Sequence, residues 1–238
     1  MLHQIVLFAD IDGTLIKHSL EQWLLLYLRR ERKITRVRLI LNSLGHLTHW
    51  PLPHWFQWKL VYLQDQCEED VNRWIANCWQ QSIQYALIPE SVRFIQSMRE
   101  AGVRIVLLSG TPKPLAAPIM NFLNINEIIA AEPLIQNHCY TGGLSRPHPR
   151  GLKKVEYVQE WMTQFKIGWN QTMAMADHWQ DRYLLGMVRF PIVTHPKTKL
   201  ARLALMKRWP VLNQNTQLSE FISQVRDRIK SVQISFDQ

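Results

Sequence analysis

Short, continuous apolar runs recur along the chain, and polar or turn-forming residues follow most of them. The runs cover residues 5–9, 103–108, 173–176 and 188–194, and a weaker one covers 127–131. A run of about four to eight apolar residues that ends at a turn signal is typical of a strand buried on both faces, as in a parallel sheet. The pattern therefore predicts the buried strands of a mainly parallel sheet.

Helical periodicity fills the intervals between these runs. Between the first two strands, apolar residues recur at helical spacing in three stretches, and an aromatic segment, 55–63, follows Pro51 and Pro53. The three stripes are Leu20, Trp23, Leu24, Tyr27 and Leu28; Ile34, Val37, Leu41 and Leu44; and Val71, Trp74, Ile75, Cys78, Trp79 and Ile83. Stripes of this kind are typical of amphipathic helices. The interval between the strands is therefore predicted to be mostly helical.

The rest of the chain alternates in the same way. Helices are predicted over 89–101, from Val155 onward and over 199–207, and a hairpin is predicted over 140–144. The tail after Asn213 carries no assignment. Strands that alternate with helices are typical of the α/β class.

Two carboxylates, Asp10 and Asp12, stand one residue apart where the first predicted strand ends. Open α/β folds bind ligands at this carboxyl edge of the sheet. Two acids so close repel each other unless a cation lies between them, so the pair indicates a hard divalent metal with oxygen ligands. Gly13 permits a sharp turn and lets the backbone approach a phosphate closely.

Four segments resemble the motifs of one enzyme family in the expected order. The run Asp10-Ile11-Asp12-Gly13-Thr14-Leu15 resembles the first motif of the haloacid dehalogenase superfamily of phosphatases. The other three are Ser109-Gly110-Thr111-Pro112, Gly151-Leu152-Lys153-Lys154-Val155 and Asp177-His178-Trp179-Gln180-Asp181. Short motifs recur by chance, but four in order are hard to explain in that way.

This resemblance implies a role for each matching position. Asp10 would be the nucleophile and Asp12 the general acid/base. Mg²⁺ would be held by Asp10, the Asp12 backbone carbonyl and Asp177, with Asp181 supporting the metal site. The phosphate would be bound by Gly13, Thr14, Ser109, Gly110 and Lys154, with Ser109 and Lys154 counted among the catalytic residues. Lys154 fits the third motif better than Lys153, and the neighbour stays open as an alternative.

Each motif also has a purely structural interpretation. Ser109 would cap an ordinary strand-to-helix turn, the lysine pair would be solvated, and Asp177 and Asp181 would cap a helix. The fourth motif departs from the usual pattern, because Ala176 and His178 flank Asp177. Both acids of the motif are retained, so this departure is expected to affect mainly which substrate is used and how fast it is turned over.

The resemblance implies a three-layer Rossmann-like core, 1–15 and 89–238, with a helical cap inserted over 16–88. This placement matches the phosphoserine phosphatase-like branch, in which cap residues contact the substrate, so Glu21 and Trp23 are candidate substrate residues. The arginine-rich first cap helix and aromatic cap also resemble the phosphatidylglycerophosphatase C enzymes, whose substrate is a lipid. The predicted activity is Mg²⁺-dependent hydrolysis of a phosphorylated small molecule, with a lipid headgroup as the alternative.

The charge balance favours anionic partners. Among 238 residues, 28 are Lys or Arg and 19 are Asp or Glu, which gives a formal net charge of +9. Basic residues cluster over 29–38 and 197–208, where a solvated helix face is the structural alternative to a contact. With the tryptophans of the insert, the first cluster could lie against an anionic membrane. A non-catalytic, basic nucleic-acid-binding or interaction protein is the rival from another class. It is disfavoured because no nucleic-acid-reading motif accompanies the charge.

The remaining features concern location. Cys67, Cys78 and Cys139 lack the spacing of a zinc site and form no even disulfide framework, so a reduced, cytosolic environment is expected. The first predicted strand begins almost at Met1, which leaves no room for a secretory signal, and no run is long enough to span a bilayer. The expected location is the cytoplasm, with peripheral contact at the inner face of the membrane as an addition.

Overall fold

The centre of the molecule is a six-stranded sheet in which every neighbouring pair of strands is parallel. The structure is a computed structural model that describes residues 5–35 and 60–236, with side chains as far as residue 231. Its strands are β1 (Val6–Ala9), β2 (Arg104–Pro112), β3 (Ile128–Ala131), β6 (Thr172–Ala176), β7 (Phe190–Thr194) and β8 (Val211–Leu212). Their order across the sheet is β3-β2-β1-β6-β7-β8. The predicted α/β class with a mainly parallel sheet is confirmed.

Helices cover both faces of this sheet. They are α3 (Pro89–Glu100), α4 (Lys113–Leu123), α5 (Leu152–Phe165), α6 (Arg182–Met187), α7 (Thr198–Lys207) and α8 (Leu218–Phe236). Alternate residues of β1 point to opposite sides, so Leu7 joins one buried apolar cluster, which includes Met98 of α3, and Phe8 joins the other, which includes Met162 of α5. The result is a three-layer core.

Two further helices lie between β1 and β2 in the chain. They are α1 (Leu20–Arg30) and α2 (Glu68–Gln81), and a short 3₁₀ helix (Ile83–Ala86) follows. Ser19 and Gln22 form a reciprocal capping box that fixes the start of α1. The periodicity predicted both helices, and the structure shows that their apolar stripes are buried in the same cluster as β1. The middle predicted helix and most of the aromatic segment before Leu63 lie outside the described residues.

A separate antiparallel hairpin follows β3. It consists of β4 (Pro133–Gln136) and β5 (Cys139–Leu144), which pair across a turn at Asn137 and His138. The hairpin predicted over 140–144 was wrong in its bounds, because those residues form only the second strand. The structure differs from the sequence predictions in two other places. β2 continues beyond Leu108 to Pro112 through an irregularity in its register with β3, and the unassigned tail contains α8. In the part of the chain that the structure describes, no helix is long and apolar enough to cross a membrane.

Candidate active site

The end of β1 places Asp10 and Asp12 at the carboxyl edge of the sheet, beside the end of β6. The backbone N–H of Asp10 donates to the Met175 carbonyl oxygen at 2.9 Å, which holds the residue after the end of β1 against β6. The chain then turns sharply at Gly13, whose φ is +80°. That conformation is strained for residues with a side chain, so glycine lets the strand reverse here.

Three carboxylates converge at this point. Oxygen atoms of Asp10, Asp177 and Asp181 all lie within 4.8 Å of one another. The Nζ atom of Lys154 lies 2.6 Å from Asp10 Oδ1 and 2.8 Å from Asp181 Oδ1. The structure thus places Lys154 among the acids, whereas Lys153 is exposed and pairs with Glu156 at 2.5 Å.

The turn after β1 packs tightly against this cluster. The hydroxyl group of Thr14 lies 3.3 Å from Asp10 Oδ2 and 3.3 Å from Asp177 Oδ1. A Cβ atom on Gly13 would lie 2.3 Å from Asp177 Oδ2, so only glycine leaves room for this carboxylate. The first and fourth motifs are therefore in direct contact, although 163 positions separate Thr14 from Asp177.

Asp12 is held separately from the other acids. Its Oδ1 accepts a hydrogen bond from the backbone N–H of Leu20 at 2.8 Å, at the first turn of α1. Its Oδ2 accepts from the hydroxyl groups of Ser109 at 3.0 Å and Thr111 at 2.6 Å. The Ser109 hydroxyl also accepts from the Thr111 N–H at 3.0 Å, but both residues lie in β2, and the N-terminus of α4 has no side-chain capping bond. These bonds fix the orientation of the Asp12 carboxylate.

Burial dominates the electrostatics of the cluster. It raises the pKa of Asp10 well above its usual range, and Asp181 and Asp177 add to this rise while Lys154 opposes it. Burial and the charge of Asp181 together raise the pKa of Asp177 to about 6. Burial opposes the charge on Lys154, but the carboxylates of Asp10 and Asp181 outweigh this effect and raise the pKa of its ammonium group. One lysine thus leaves the three acids with excess negative charge.

These residues fit a hard divalent cation. Carboxylate oxygens are the ligands that Mg²⁺ and Ca²⁺ prefer, and three of them face one another here. Burial is the largest cause of the raised pKa of Asp177, and the neighbouring carboxylate of Asp181 adds to it, so a cation among these acids would favour their charged forms. The alternative interpretation of the fourth motif was that its acids cap a helix. Asp181 lies at the N-terminus of α6, but its side chain makes no capping bond to the backbone there. The donor set matches the metal that the sequence implied.

An open cavity of about 610 Å³ lies directly above the acids. Of the positions singled out in the sequence, Asp10, Asp12, Gly13, Glu21, Gly110, Lys154, Asp177, His178 and Asp181 line it. Ser109 and Thr14 are buried behind the lining and contact the acids instead. The motifs did not indicate roles for the other lining residues, which are His18, Ser19, Gln22, Thr111, Arg150, Gly151, Gln180 and Lys197. Thr111 lies within the second motif and Arg150 directly precedes the third, so their positions in the sequence were the available signal.

Glu21 forms one wall of this cavity. It is buried, and burial raises the pKa of its carboxyl group, although Arg150 opposes the rise. The Nη2 atom of Arg150 lies 3.8 Å from Glu21 Oε2, and its Nε lies 2.7 Å from the position that a Cβ on Gly110 would take. Glu21 Oε1 and the Tyr62 hydroxyl reach no partner of good hydrogen-bond geometry among the described residues, but the two groups face each other: the Tyr62 hydroxyl opposes the rise in the pKa of Glu21, and burial together with Glu21 raises the pKa of Tyr62. A buried carboxylate oxygen in this situation has room for a further donor, which a water molecule or a ligand can supply.

Trp23 does not line the cavity. Its indole N–H donates to the Lys17 carbonyl oxygen at 2.9 Å, and its ring lies in a neighbouring apolar groove with Leu25 and Leu26. His18 and Gln22 line both the groove and the cavity, so the two are continuous.

Residues 7–186 match the family model of the haloacid dehalogenase-like hydrolases. Two curated relatives are similar to the chain. It is 24% identical over 158 residues to an "inhibition of morphological differentiation protein" of Streptomyces azureus, covering 64% of this chain and 57% of that protein. It is 25% identical over 129 residues to a histidinol-phosphatase of Neisseria meningitidis serogroup C (strain 8013), covering 52% of this chain and 58% of that protein. The chain therefore matches less than two thirds of either relative.

Solved structures share the fold at low identity. A protein of unknown function from Bordetella pertussis Tohama I has a TM-score of 0.80 at 19% identity, covering 88% of this chain and 98% of that one. A probable phosphoserine phosphatase from Vibrio cholerae has a TM-score of 0.68 at 11% identity, covering 98% of this chain and 68% of that one.

Proposed function

Because the chain belongs to the haloacid dehalogenase-like hydrolases, we propose that it is a Mg²⁺-dependent phosphatase that acts through an aspartyl-phosphate intermediate. The expected substrate is a phosphoserine-like, cytoplasmic small phosphometabolite. The observation that carries this proposal is the buried Asp10 carboxylate, 2.6 Å from Lys154 Nζ at the floor of the cavity. A carboxylate in this position can attack the phosphorus atom of a bound phosphomonoester.

The acid cluster would hold the metal through Asp10, the Asp12 backbone carbonyl and Asp177, with Asp181 supporting the site. Bound there, Mg²⁺ supplies positive charge to the phosphoryl oxygens. Lys154 supplies a second positive charge, which the acids on both sides of it keep in place. The N–H and hydroxyl groups around Gly13, Thr14, Ser109 and Gly110 would complete the phosphate site.

The first step forms a bond between an Asp10 carboxylate oxygen and phosphorus and breaks the bond to the leaving oxygen. Asp12 donates a proton to that oxygen, which leaves as an alcohol. In the second step Asp12 takes a proton from a water molecule as the water attacks phosphorus, which releases inorganic phosphate and restores Asp10. The hydrogen bonds from Leu20, Ser109 and Thr111 hold the Asp12 carboxylate at the cavity wall in both steps.

Residues 16–88 would act as the cap of this enzyme, over a core of 1–15 and 89–238. The described part of the cap contributes His18, Gln22 and Glu21 to the cavity. Closing such a segment over the acids excludes water while the aspartyl-phosphate forms. The Oε1 atom of Glu21 would then accept a hydrogen bond from an amine or hydroxyl group of the substrate.

An Asp10→Asn variant tests the proposal. We expect hydrolysis of p-nitrophenyl phosphate with Mg²⁺ to fall by at least ~10³-fold, because the amide is a poor nucleophile. The rate is measured at saturating substrate, and circular dichroism checks the fold. An Asp227→Asn variant, which changes an exposed acid of α8, is the matched control and should keep the wild-type rate. Wild-type turnover by Asp10→Asn would contradict the proposal.

The rival, a nucleic-acid-binding protein, is tested with the wild type. It would be favoured if the wild-type protein showed no phosphatase turnover and shifted the mobility of nucleic acid in a gel in a salt-sensitive manner.

A second candidate function is hydrolysis of a lipid phosphate at the membrane surface. The groove on α1 favours it, because the groove is apolar, continues into the cavity through His18 and Gln22, and has Arg29 at its edge. Leu26 in this groove is 59% exposed. An acyl chain could lie in the groove while the phosphate reaches the acids, and basic residues would face anionic headgroups.

Vesicle sedimentation tests this second candidate. We expect the full chain to bind phosphatidylglycerol vesicles at about 50 mM salt and to leave them at about 500 mM, because salt screens the basic surface. Leu26→Gln should weaken binding several-fold, whereas Leu205→Gln on α7, also highly exposed, should not. Absence of binding at low salt would exclude the membrane candidate and leave the small phosphometabolite as the substrate.

A further inference from the structure

Two cysteines far apart in the chain meet on the surface. The Sγ atoms of Cys67 and Cys139 are 2.9 Å apart, although 72 positions separate the residues. Both are free thiols; Cys67 is exposed and Cys139 is half-buried. Cys67 precedes the first residue of α2 and makes no capping hydrogen bond with its side chain, so its sulfur has no competing role there.

The backbone holds the two cysteines directly opposite each other. The N–H of Glu68 donates to the His138 carbonyl oxygen at 2.9 Å, and the N–H of Tyr140 donates to the Gln66 carbonyl oxygen at 2.9 Å. These bonds flank Cys67 and Cys139 on both sides, which makes them a non-hydrogen-bonded antiparallel pair. Such pairs have Cα atoms about 4.5 Å apart, within the range of about 4.4–6.8 Å that a disulfide requires.

We propose that Cys67 and Cys139 are a covalent modification site, where a reversible disulfide joins the start of α2 to the β4–β5 hairpin. The oxidant is a low-molecular-weight disulfide such as oxidised glutathione. The exposed Cys67 thiolate attacks it, forming a mixed disulfide and releasing one glutathione thiol. Cys139 then attacks the Cys67 sulfur and releases a second thiol. Two protein thiols and one glutathione disulfide thus become one protein disulfide and two glutathione thiols.

This bond would secure a segment that reaches the cavity. Residues 60–67 already follow the hairpin through hydrogen bonds from Leu60 N–H to the Gly142 oxygen at 2.7 Å and from Asp65 N–H to the Tyr140 oxygen at 2.8 Å. Tyr62, which faces Glu21, lies between these two contacts. The disulfide would prevent separation of this segment from the hairpin. Its formation does not depend on the proposed phosphatase activity.

Oxidation of the full chain in glutathione buffers tests the site. We expect peptide mapping by mass spectrometry under non-reducing conditions to identify a Cys67–Cys139 disulfide within one chain. The bond fits the native arrangement and closes a long loop, so the Tm of the oxidised protein should rise by ~5–15 °C. Adding dithiothreitol should reverse both changes.

Three variants make the test specific. Cys67→Ser and Cys139→Ser should each abolish the disulfide and the rise in Tm, while Cys78→Ser, which changes the buried third cysteine, should keep both. Both target positions are at least partly exposed, so the substitutions should not prevent folding. The proposal is overturned if oxidation yields only glutathione adducts, links between chains or a bond to Cys78. It is equally overturned if the Cys67–Cys139 bond forms without raising the Tm.

Discussion

At the scale of single residues, the four motifs predicted which side chains would meet, but not how each one is held. Asp10, Asp177 and Lys154 converge as the resemblance implied, and the choice between Lys153 and Lys154 follows from burial. The partnership of Glu21 with Arg150 could not be predicted, because it depends on where α1 and the loop before α5 lie in space.

Gly13 offers the sharpest test of the geometry at this scale. A Gly13→Ala change should lower the rate of p-nitrophenyl phosphate hydrolysis by ~10²-fold, because the added Cβ would displace the Asp177 carboxylate, which lies only 2.3 Å away. The positive φ adds a destabilisation of about 1 kcal/mol. Steady-state kinetics and thermal unfolding measure the two effects separately.

Gly102 provides the matched control for that change. Its φ is +81°, and nothing lies within 4 Å of the position that its Cβ would take. Gly102→Ala should therefore show the same backbone destabilisation, about 1 kcal/mol, with an unchanged rate. Equal rates for the two alanine variants would mean that Gly13 matters only for the turn and that the close approach of Asp177 has no catalytic consequence.

At the scale of elements, prediction depended on how much apolar surface each element buries. β1 and β6 are buried along their whole length, so uninterrupted apolar runs marked them. α8 carried no assignment although its apolar residues recur at helical spacing: Phe221, Val225 and Ile229 are buried, and Leu218 and Ile222 pack against the same cluster. The helix that covers this stripe is far away in sequence, because Phe221 packs against Phe94 of α3 with ring centroids 5.7 Å apart. A stripe alone therefore predicts a helix but does not indicate what will cover it.

At the scale of the whole molecule, the sign of the charge reverses between the surface and the active site. The chain carries a net charge of +9, yet acids with a single buried lysine form the floor of the cavity. Composition predicted attraction to anions but could not show that negative charge is concentrated at one edge of the sheet. Four motifs distributed over the chain indicated that concentration, and the family match confirms the family that they implied. Folding must bury these acids, so stability should depend on pH and on metal.

The metal-free protein should lose stability as pH rises from about 4 to 6. In this window Asp177 is ionised in the unfolded chain, where its pKa is near 3.8, and still protonated in the folded protein, where its pKa is about 6. The folded state therefore binds more protons, so the free energy of unfolding falls with pH, and the penalty that Asp177 contributes is complete above about pH 6. The raised pKa of Asp10 extends the loss of stability to higher pH. With EDTA at pH 7.5, Asp177→Asn should unfold with a free energy higher by on the order of 2 kcal/mol, an advantage that should disappear below about pH 4. Asp227→Asn should show no such gain.

Excess Mg²⁺ should then raise the Tm of the wild type but hardly that of Asp177→Asn, because binding to the folded state requires this carboxylate. Equal pH profiles for wild type and Asp177→Asn in EDTA would show that the Asp177 carboxylate imposes no electrostatic cost on the fold.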